Sequence, residues 1–324
     1  IPNKNLITKI AYYDKMPHAI KNHPFTNIKN EEIDHIVHPS FICPDIEADL
    51  YSQTKEYNTS FEELYMPKEY FYLKEHFVTA IRNNHIHPKI PQIIHQIYED
   101  LAGPPPSLVE ISQSWKELNP DWEYRFWNKN DIETFLKTYY PEFIPAYNAF
   151  PHNVQRWDAI RYLILYKFGG LYVDMDYECT ENITPILCNT ECAMGLEPEA
   201  HAVRIHVPYI VGNAFMATVP EHPYFKELID AVFYDNTKAG TYTDSVELIL
   251  NTTGPFLTTR IYDNSKYQER ITLIPAELIA PITHSDIRKI MNEETSMSIE
   301  SKVEKSFAIH YFFGSWHEQT KELT

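Results

Sequence analysis

Asp174 and Asp176 flank Met175, directly after the short apolar run Leu171-Tyr172-Val173. On a regular strand, residues i and i+2 point to one face, and at a strand end two such carboxylates can converge on one hard cation. Carboxylate oxygens suit Mg²⁺ or Mn²⁺, and Mg²⁺ takes one or two protein carboxylates and fills its other positions with phosphate and water. A bare D-x-D is common in a chain with 45 acidic residues, and a solvated turn is then the better reading. The context here is more particular. Val154, Trp157, Ile160, Ile164 and Phe168 recur at helical spacing, then Gly169-Gly170 supplies the left-handed residue that ends a helix. The spacing therefore predicts an amphipathic helix, a glycine stop, a buried strand and an acidic pair at its end. Asp158 and Arg161 stand i, i+3 on that helix and share a face. They read either as a surface ion pair worth roughly a few tenths of a kcal/mol, or as an acid for a hydroxyl and a guanidinium for a phosphate beside the cation.

The elements around this stretch alternate. Ile90–Tyr98 reads as a strand with β-branched Ile93, Ile94 and Ile97. Gly103 to Pro106 is a loop, and Ser107 with Glu110 predicts a capping box opening a helix to about Leu118. Asn119-Pro120 stops that helix. Tyr124 to Trp127 follows as a strand and Asp131 to Tyr139 as a helix. Strand, helix, strand, helix indicates a parallel sheet with crossover helices, and ligands of such sheets lie at the carboxyl ends of strands. Asp174 and Asp176 lie at such an end. Further on, Ala193 to Leu196 and Tyr209 to Val219 read as strands, and Tyr224 to Phe233 and Val246 to Leu250 as helices. Thr253-Gly254-Pro255 follows, where the glycine permits a close backbone approach. Ser306 to Ile309 reads as a last strand. Residues 1–86 differ: they are rich in Asn, His, Lys, Tyr and Glu, carry no catalytic constellation, and read as a helical extension or cap, with acceptor or partner binding as the sharper alternative.

The run R-x-D-x-x-R-x-x-x-L-x-x-x-G-G-x-Y-x-D-x-D, from Arg156 to Asp176, resembles the signature of glycosyltransferase family 32. That family includes yeast outer-chain mannosyltransferases and α-1,4-galactosyltransferases, and the glucosylating clostridial toxins share a related core. The resemblance extends from about Lys89 to Glu318. It implies an α/β fold of GT-A type over residues 87–324, with a mostly parallel central sheet flanked by helices. It implies a metal-dependent transferase that retains anomeric configuration, moving a hexose from a nucleotide-diphospho-sugar to a glycan or lipid-linked glycan in surface polysaccharide or glycoconjugate synthesis. His95, Gln96, Ile97 and Tyr98 then end the strand that meets base and ribose, although His95 taken alone reads as a satisfied core histidine. Asp174, Asp176, Arg161 and Asp158 become the catalytic set, with Asp158, Arg161 and Asp174 also contacting the donor. Asn213, in the segment Gly212 to Met216, could hydrogen-bond a sugar hydroxyl or be a turn asparagine. In the tail His310-x-x-x-Gly314-Ser315-Trp316, His310 becomes the third metal ligand, with His317 as second choice, Ser315 serves metal or phosphate, and Trp316 covers the nucleotide. Imidazole favours Mn²⁺ over Mg²⁺. UDP-galactose or UDP-glucose is preferred over GDP-mannose as donor. No dedicated nucleophile stands out; Glu197 and Glu199 are candidates by position.

Composition bounds these readings. In 324 residues with 44 % hydrophobic and 14 % aromatic content, a sizeable core forms. Only eight glycines occur, and neither G-x-G-x-x-G nor G-x-x-x-x-G-K-[ST] is found, which removes the main support for dinucleotide and P-loop readings. A formal net charge of −17 disfavours nucleic acid as a partner. No run of about 18 apolar residues spans a membrane. The expected location is cytoplasmic and peripheral to a membrane; the chain opens on Ile1 rather than Met, and the Golgi lumen is the alternative if an N-terminal anchor has been trimmed. The four cysteines make no disulfide framework, and Cys188-x-x-x-Cys192 reads as buried thiols in preference to a metal half-site. Two other functions compete with transfer: a metal-dependent nucleotide-sugar hydrolase on the same acidic cluster, and a non-catalytic sugar-binding module.

Overall fold

The computed structural model describes residues 88–99, 103–188, 190–234, 242, 244–291, 297–304 and 306–313. The expectations for the segment 1–86 and for Ser315, Trp316 and His317 lie outside the described residues. The described chain opens with β1 (Ile93–Ile97), α1 (Pro106–Leu118), β2 (Glu123–Trp127), α2 (Lys129–Tyr139), α3 (Ile144–Ala149) and α4 (Asn153–Phe168). It continues through β3 (Gly170–Val173), β4 (Tyr177–Cys179), β5 (Cys192–Leu196), α5 (Glu199–Arg204), β6 (Val211–Thr218), α6 (Pro223–Phe233), α7 (Ser245–Thr252) and α8 (Pro255–Asn264). β7 (Thr272–Ile274), α9 (Ala276–Ile279), α10 (His284–Met291), α11 (Met297–Glu304) and β8 (Ala308–His310) complete it.

Six strands form one sheet in the order β2-β1-β3-β6-β5-β7. β1 runs parallel to both β2 and β3, β5 runs parallel to β7, and β6 alone runs against its neighbours. The sheet is thus mostly parallel, as the alternation of elements implies, and its strand carboxyl ends share one edge. Helix α4 covers one face, packed with α2, α6 and α8 residues such as Phe135, Phe225 and Leu257. On the other face Trp115 of α1 meets Leu171, Val173 and Phe215. β4 and β8 form a separate antiparallel pair in which Tyr177 faces His310. Trp115 donates its indole N–H to the Tyr177 carbonyl at 2.7 Å and so anchors that pair to α1.

Two local expectations change. Helix α4 is not amphipathic: the run from Asp158 to Leu165 is buried throughout. A helix clamped between a sheet and neighbouring helices has no water-facing side to keep polar. The capping box at Ser107 does not form. α1 starts at Pro106, whose fixed φ suits the first helical position, and the Ser107 hydroxyl is buried without a hydrogen-bond partner. It is Asn128 that caps a helix, accepting from the N–H groups of Asn130 and Asp131 at 2.8 and 3.1 Å to open α2.

The glycine stop is real and sterically demanding. Gly169 and Gly170 have φ of 65° and 94°. A Cβ on Gly170 would lie 2.5 Å from the Ile93 carbonyl oxygen of β1, and one on Gly169 would lie 2.7 Å from the Thr218 carbonyl oxygen of β6. Only glycine lets the chain leave α4 and enter the sheet between these two strands.

Candidate active site

The D-x-D lies in a tight turn between β3 and β4, where the Tyr177 N–H bonds the Asp174 carbonyl at 3.0 Å. Three neighbouring segments hold this turn. The Asp174 N–H reaches the Ala214 carbonyl of β6 at 3.0 Å. Gln96, at the carboxyl end of β1, donates its amide to the Asp174 carbonyl at 3.0 Å and accepts the Tyr124 hydroxyl at 2.7 Å. The Tyr311 N–H bonds the Asp176 carbonyl at 3.0 Å.

Pairing of β8 with β4 brings His310 to the turn. Its Nε2 lies 3.3 Å from Asp176 Oδ1, and its ring stacks on Tyr177 with centroids 4.3 Å apart. Asp174, Asp176 and His310 each offer a ligand atom, all within 4.8 Å of one another, the one His/Cys/Asp/Glu group of this kind among the described residues. The donor set of two carboxylates and an imidazole fits a divalent ion such as Mn²⁺. Phe312 adopts a left-handed φ of 48°, uncommon for a bulky residue. That bend aims the Phe313 N–H at Asp176 Oδ2, 2.9 Å away.

Behind the turn lies a buried polar knot. Arg161 Nη1 meets Asp174 Oδ1 at 3.1 Å and the Asn213 carbonyl at 2.8 Å, Nη2 meets Asp158 Oδ1 at 3.2 Å, and Nε donates to the Trp157 carbonyl at 3.1 Å. Its guanidinium also lies over the Tyr172 ring at 4.6 Å. The Tyr172 hydroxyl, two residues before Asp174 and on the same face, donates to Asp174 Oδ1 at 2.6 Å. Asp158 accepts from Thr253 at 2.8 Å on Oδ2 and from the Asn213 amide at 2.9 Å on Oδ1. Thr253 comes from the Thr253-Gly254-Pro255 motif, where a Cβ on Gly254 would lie 3.1 Å from Leu250 Cα. The surface ion-pair reading of Asp158 and Arg161 therefore fails: their side chains are 5 % and 6 % exposed.

The electrostatics follow this burial. Desolvation pushes the Asp158 carboxyl up to about 6 against the pull of Arg161 and Thr253. Asp174 is likewise raised by burial, with Arg161 opposing and the Asp176 charge adding to the rise. For Asp176, burial is outweighed by His310 and by the Phe313 N–H, and its carboxyl is held low. His310 is raised, its own burial overcome by Asp176.

The structure brings Asp174, Asp176, His310, Arg161, Asp158, Asn213 and Gln96 together, and corrects His95. His95 is fully buried; Nε2 bonds the Gly169 carbonyl at 2.9 Å and Nδ1 takes the Trp127 indole N–H at 3.1 Å. Those partners occupy both ring nitrogens, and desolvation lowers its pKa to about 3, so it is a neutral core histidine. Alternation along β1 explains this: Gln96 points towards Tyr124 and the turn, while His95 and Ile97 point to the opposite face, where Ile97 joins the core against α4. Tyr98 is half-buried at the carboxyl edge. Asn213 is a strand residue of β6 and not a turn asparagine. Glu197 pairs with His201 at 3.0 Å, and Glu199 is exposed at the start of α5. Cys188 and Cys192 are buried and join no metal-binding group among the described residues. Sequence reasoning missed Tyr172, Thr253 and also Tyr162, whose hydroxyl accepts the Asn213 amide at 3.2 Å. Tyr172 was legible from its i, i+2 relation to Asp174; the other two depend on pairings with distant segments.

Comparison with known proteins agrees with the central stretch. Residues 105–193 match the family model described as "Glycosyltransferase sugar-binding region containing DXD motif". Inositol phosphoceramide mannosyltransferase 2 of Schizosaccharomyces pombe is 29 % identical over 237 residues, covering 71 % of this chain and 59 % of that protein. Mannosyl phosphorylinositol ceramide synthase SUR1 of Saccharomyces cerevisiae is 33 % identical over 185 residues, covering 55 % of this chain and 43 % of that one. The chain thus spans about half the length of these relatives. Among solved structures, "PaToxG Glycosyltransferase" aligns over 73 % of this chain and 86 % of its own at 15 % identity and a TM-score of 0.41. The D-x-D turn thus lies in a stretch, residues 105–193, that is similar to the glycosyltransferases that carry the DXD motif.

Proposed function

We propose that this protein transfers a hexose from a nucleotide-diphospho-sugar to a hydroxyl on a lipid-borne polar headgroup, with a divalent metal at Asp174, Asp176 and His310. The observation that carries the reading is the convergence of these three groups within 4.8 Å at the carboxyl edge of the sheet, where ligands of open α/β sheets bind. When bound, the metal would offset the negative charge that builds on the departing diphosphate. The protein's part is to hold the ligands. Arg161 and Tyr172 fix Asp174 through Oδ1, so that Oδ2 is the oxygen offered to the ion. Phe313 fixes Asp176 through Oδ2. Asp158, Asn213 and Thr253 hold Arg161 in place; we assign them as positioning residues, and Arg161 likewise in preference to a direct phosphate contact.

The relatives named as mannosyltransferases move our preference from UDP-galactose or UDP-glucose to GDP-mannose, and their ceramide acceptors favour a lipid headgroup over a polysaccharide end. Retention of anomeric configuration remains the reading for the reaction's outcome, and residues 87–324 for the catalytic unit. The test is turnover: release of GDP or UDP from each donor in the presence of Mn²⁺, with and without an inositol phosphoceramide acceptor. GDP release that rises with acceptor, and falls at least about a hundredfold in Asp176→Asn, is the expected result. Release that no acceptor accelerates would favour the hydrolase, and none from any donor would favour the binding module.

A further inference from the structure

Between β5 and β6 the chain makes an excursion whose ends are tied together by the Glu197 N–H on the Ile210 carbonyl, 3.0 Å. β5 runs parallel to β3, both being antiparallel to β6, so this excursion leaves the same carboxyl edge that carries the D-x-D turn. It contains α5 and, from the last turn of that helix onward, six consecutive exposed residues, Val203 to Pro208. Val203, Ile205 and Val207 are 60 %, 39 % and 37 % exposed, and they are half of the exposed large hydrophobic residues among those described. The others, Val109, Tyr139 and Tyr234, lie on separate elements. Single exposed apolar side chains are ordinary, but three in one turn mark a surface that meets something.

The turn is held in place and does not hang loose. The Val207 N–H bonds the Ala202 carbonyl and the His206 N–H bonds the Val203 carbonyl, both at 3.1 Å, which closes α5 in a six-to-one helix stop. His206 takes the left-handed position of that motif, at φ 59°, where glycine is usual. A chain that accepts a left-handed histidine to present three aliphatic side chains to solvent is building a fixed lip. Its charge is also unusual. No Asp or Glu occurs between Glu199 and Glu221, in a chain with 45 acids among 324 residues, while Arg204 and His206 are exposed on the lip itself. Glu197, beneath it, is tied to His201. The lip adjoins the candidate metal site through one row of rings: His201 meets Phe312 edge-on at 4.8 Å, and Phe312 lies 3.8 Å from the His310 ring centroid.

We propose that the Val203–Val207 lip inserts into an anionic phospholipid surface and so seats the D-x-D turn against the membrane that carries the lipid acceptor. This rests on the transferase reading for its purpose but not for its test. Aliphatic side chains beside an arginine suit the headgroup boundary: Val203, Ile205 and Val207 enter the acyl region while Arg204 stays with the phosphates. Charge complementarity selects the occupant, because Arg204 and His206 are the ionisable side chains of the exposed run Val203 to Pro208, which carries no carboxylate of its own to meet an anionic bilayer.

The experiment is flotation of the whole chain with vesicles of phosphatidylcholine containing about one-fifth phosphatidylserine, without metal or donor. The wild type should float, and Val203→Ser with Ile205→Ser should lose at least about tenfold in partitioning. Arg204→Glu, a second variant that leaves the apolar surface intact, should also weaken flotation with these vesicles, while Tyr234→Ser on another element should float as the wild type does. Wild-type protein that stays unbound, or Val203/Ile205 variants that float as well as wild type, would overturn the proposal. Failure here would leave metal and nucleotide binding at Asp174 and Asp176 untouched, so it is distinguishable from failure of the transferase reading.

Discussion

Asp174 meets the rest of the site through shared oxygens. One of them takes both the Tyr172 hydroxyl and the Arg161 guanidinium, and Arg161 is in turn held by Asp158. Removing one member of a buried ion pair leaves an uncompensated charge, at a cost of about 3–5 kcal/mol. Arg161→Ala should therefore lower the urea midpoint by that order and weaken Mn²⁺ binding as Asp174 loses its aim. Arg161→Lys should recover little of either, because a point ammonium cannot reach Asp158, Asp174 and the Asn213 carbonyl together. His95 supports a prediction on acid stability. Burial depresses its pKa from 6.5 to about 3, so its contribution is complete above 6.5 and is lost as the pH falls from there towards 3. Over that window it should remove up to about 1.4 kcal/mol per pH unit. Denaturation of His95→Gln at several pH values should show a shallower acid slope than wild type; an unchanged slope would mean that His95 is not held neutral.

At the scale of elements, the helix, glycine pair, strand and acidic turn were legible because their signal is local. Helical spacing from Val154 to Phe168, two glycines and an apolar run specify α4, the stop and β3 within a residue or two. What the spacing did not carry is what surrounds them. The apolar residues of α4 suggested one buried stripe, yet packing against the sheet, α6 and α8 buries its polar positions too, Asp158 and Arg161 among them. The phase of β1 was also hidden: Gln96 and His95 are both polar, and only pairing with β2 and β3 decides that Gln96 faces the turn and His95 the core. The glycine pair gives the test at this scale. Gly170→Ala would place a Cβ against the Ile93 carbonyl at a positive φ, and should destabilise by more than about 2 kcal/mol. β3 would be pushed from β1, so calorimetric Mn²⁺ affinity should fall even though no ligand has changed. Retention of both stability and affinity would contradict the packing described here.

For the molecule as a whole, the site is assembled from strands far apart in sequence. His310 arrives only because β8 pairs with β4, and Asn213 and Thr253 come from β6 and the end of α7. Helical spacing already paired Asp158 with Arg161, and the family resemblance anticipated the fold class and His310 as a metal-ligand candidate, but neither joined that pair to Asn213 and Thr253. That knot joins positions 52 to 95 residues apart, which no local pattern encodes. Among the described residues no helix is long and apolar enough to cross a membrane. We propose that Asp174, Asp176 and His310 hold a metal to which a nucleoside diphosphate binds. The most direct test is the melting temperature measured with Mn²⁺ against GDP and UDP. A ligand held only by the native state stabilises by about 2.7 kcal/mol at a hundred times its Kd. The expected result is a rise that needs both Mn²⁺ and a nucleotide, is larger with GDP, and disappears in Asp176→Asn. No rise with any nucleoside diphosphate at saturating Mn²⁺, or an equal rise in Asp176→Asn, would contradict it.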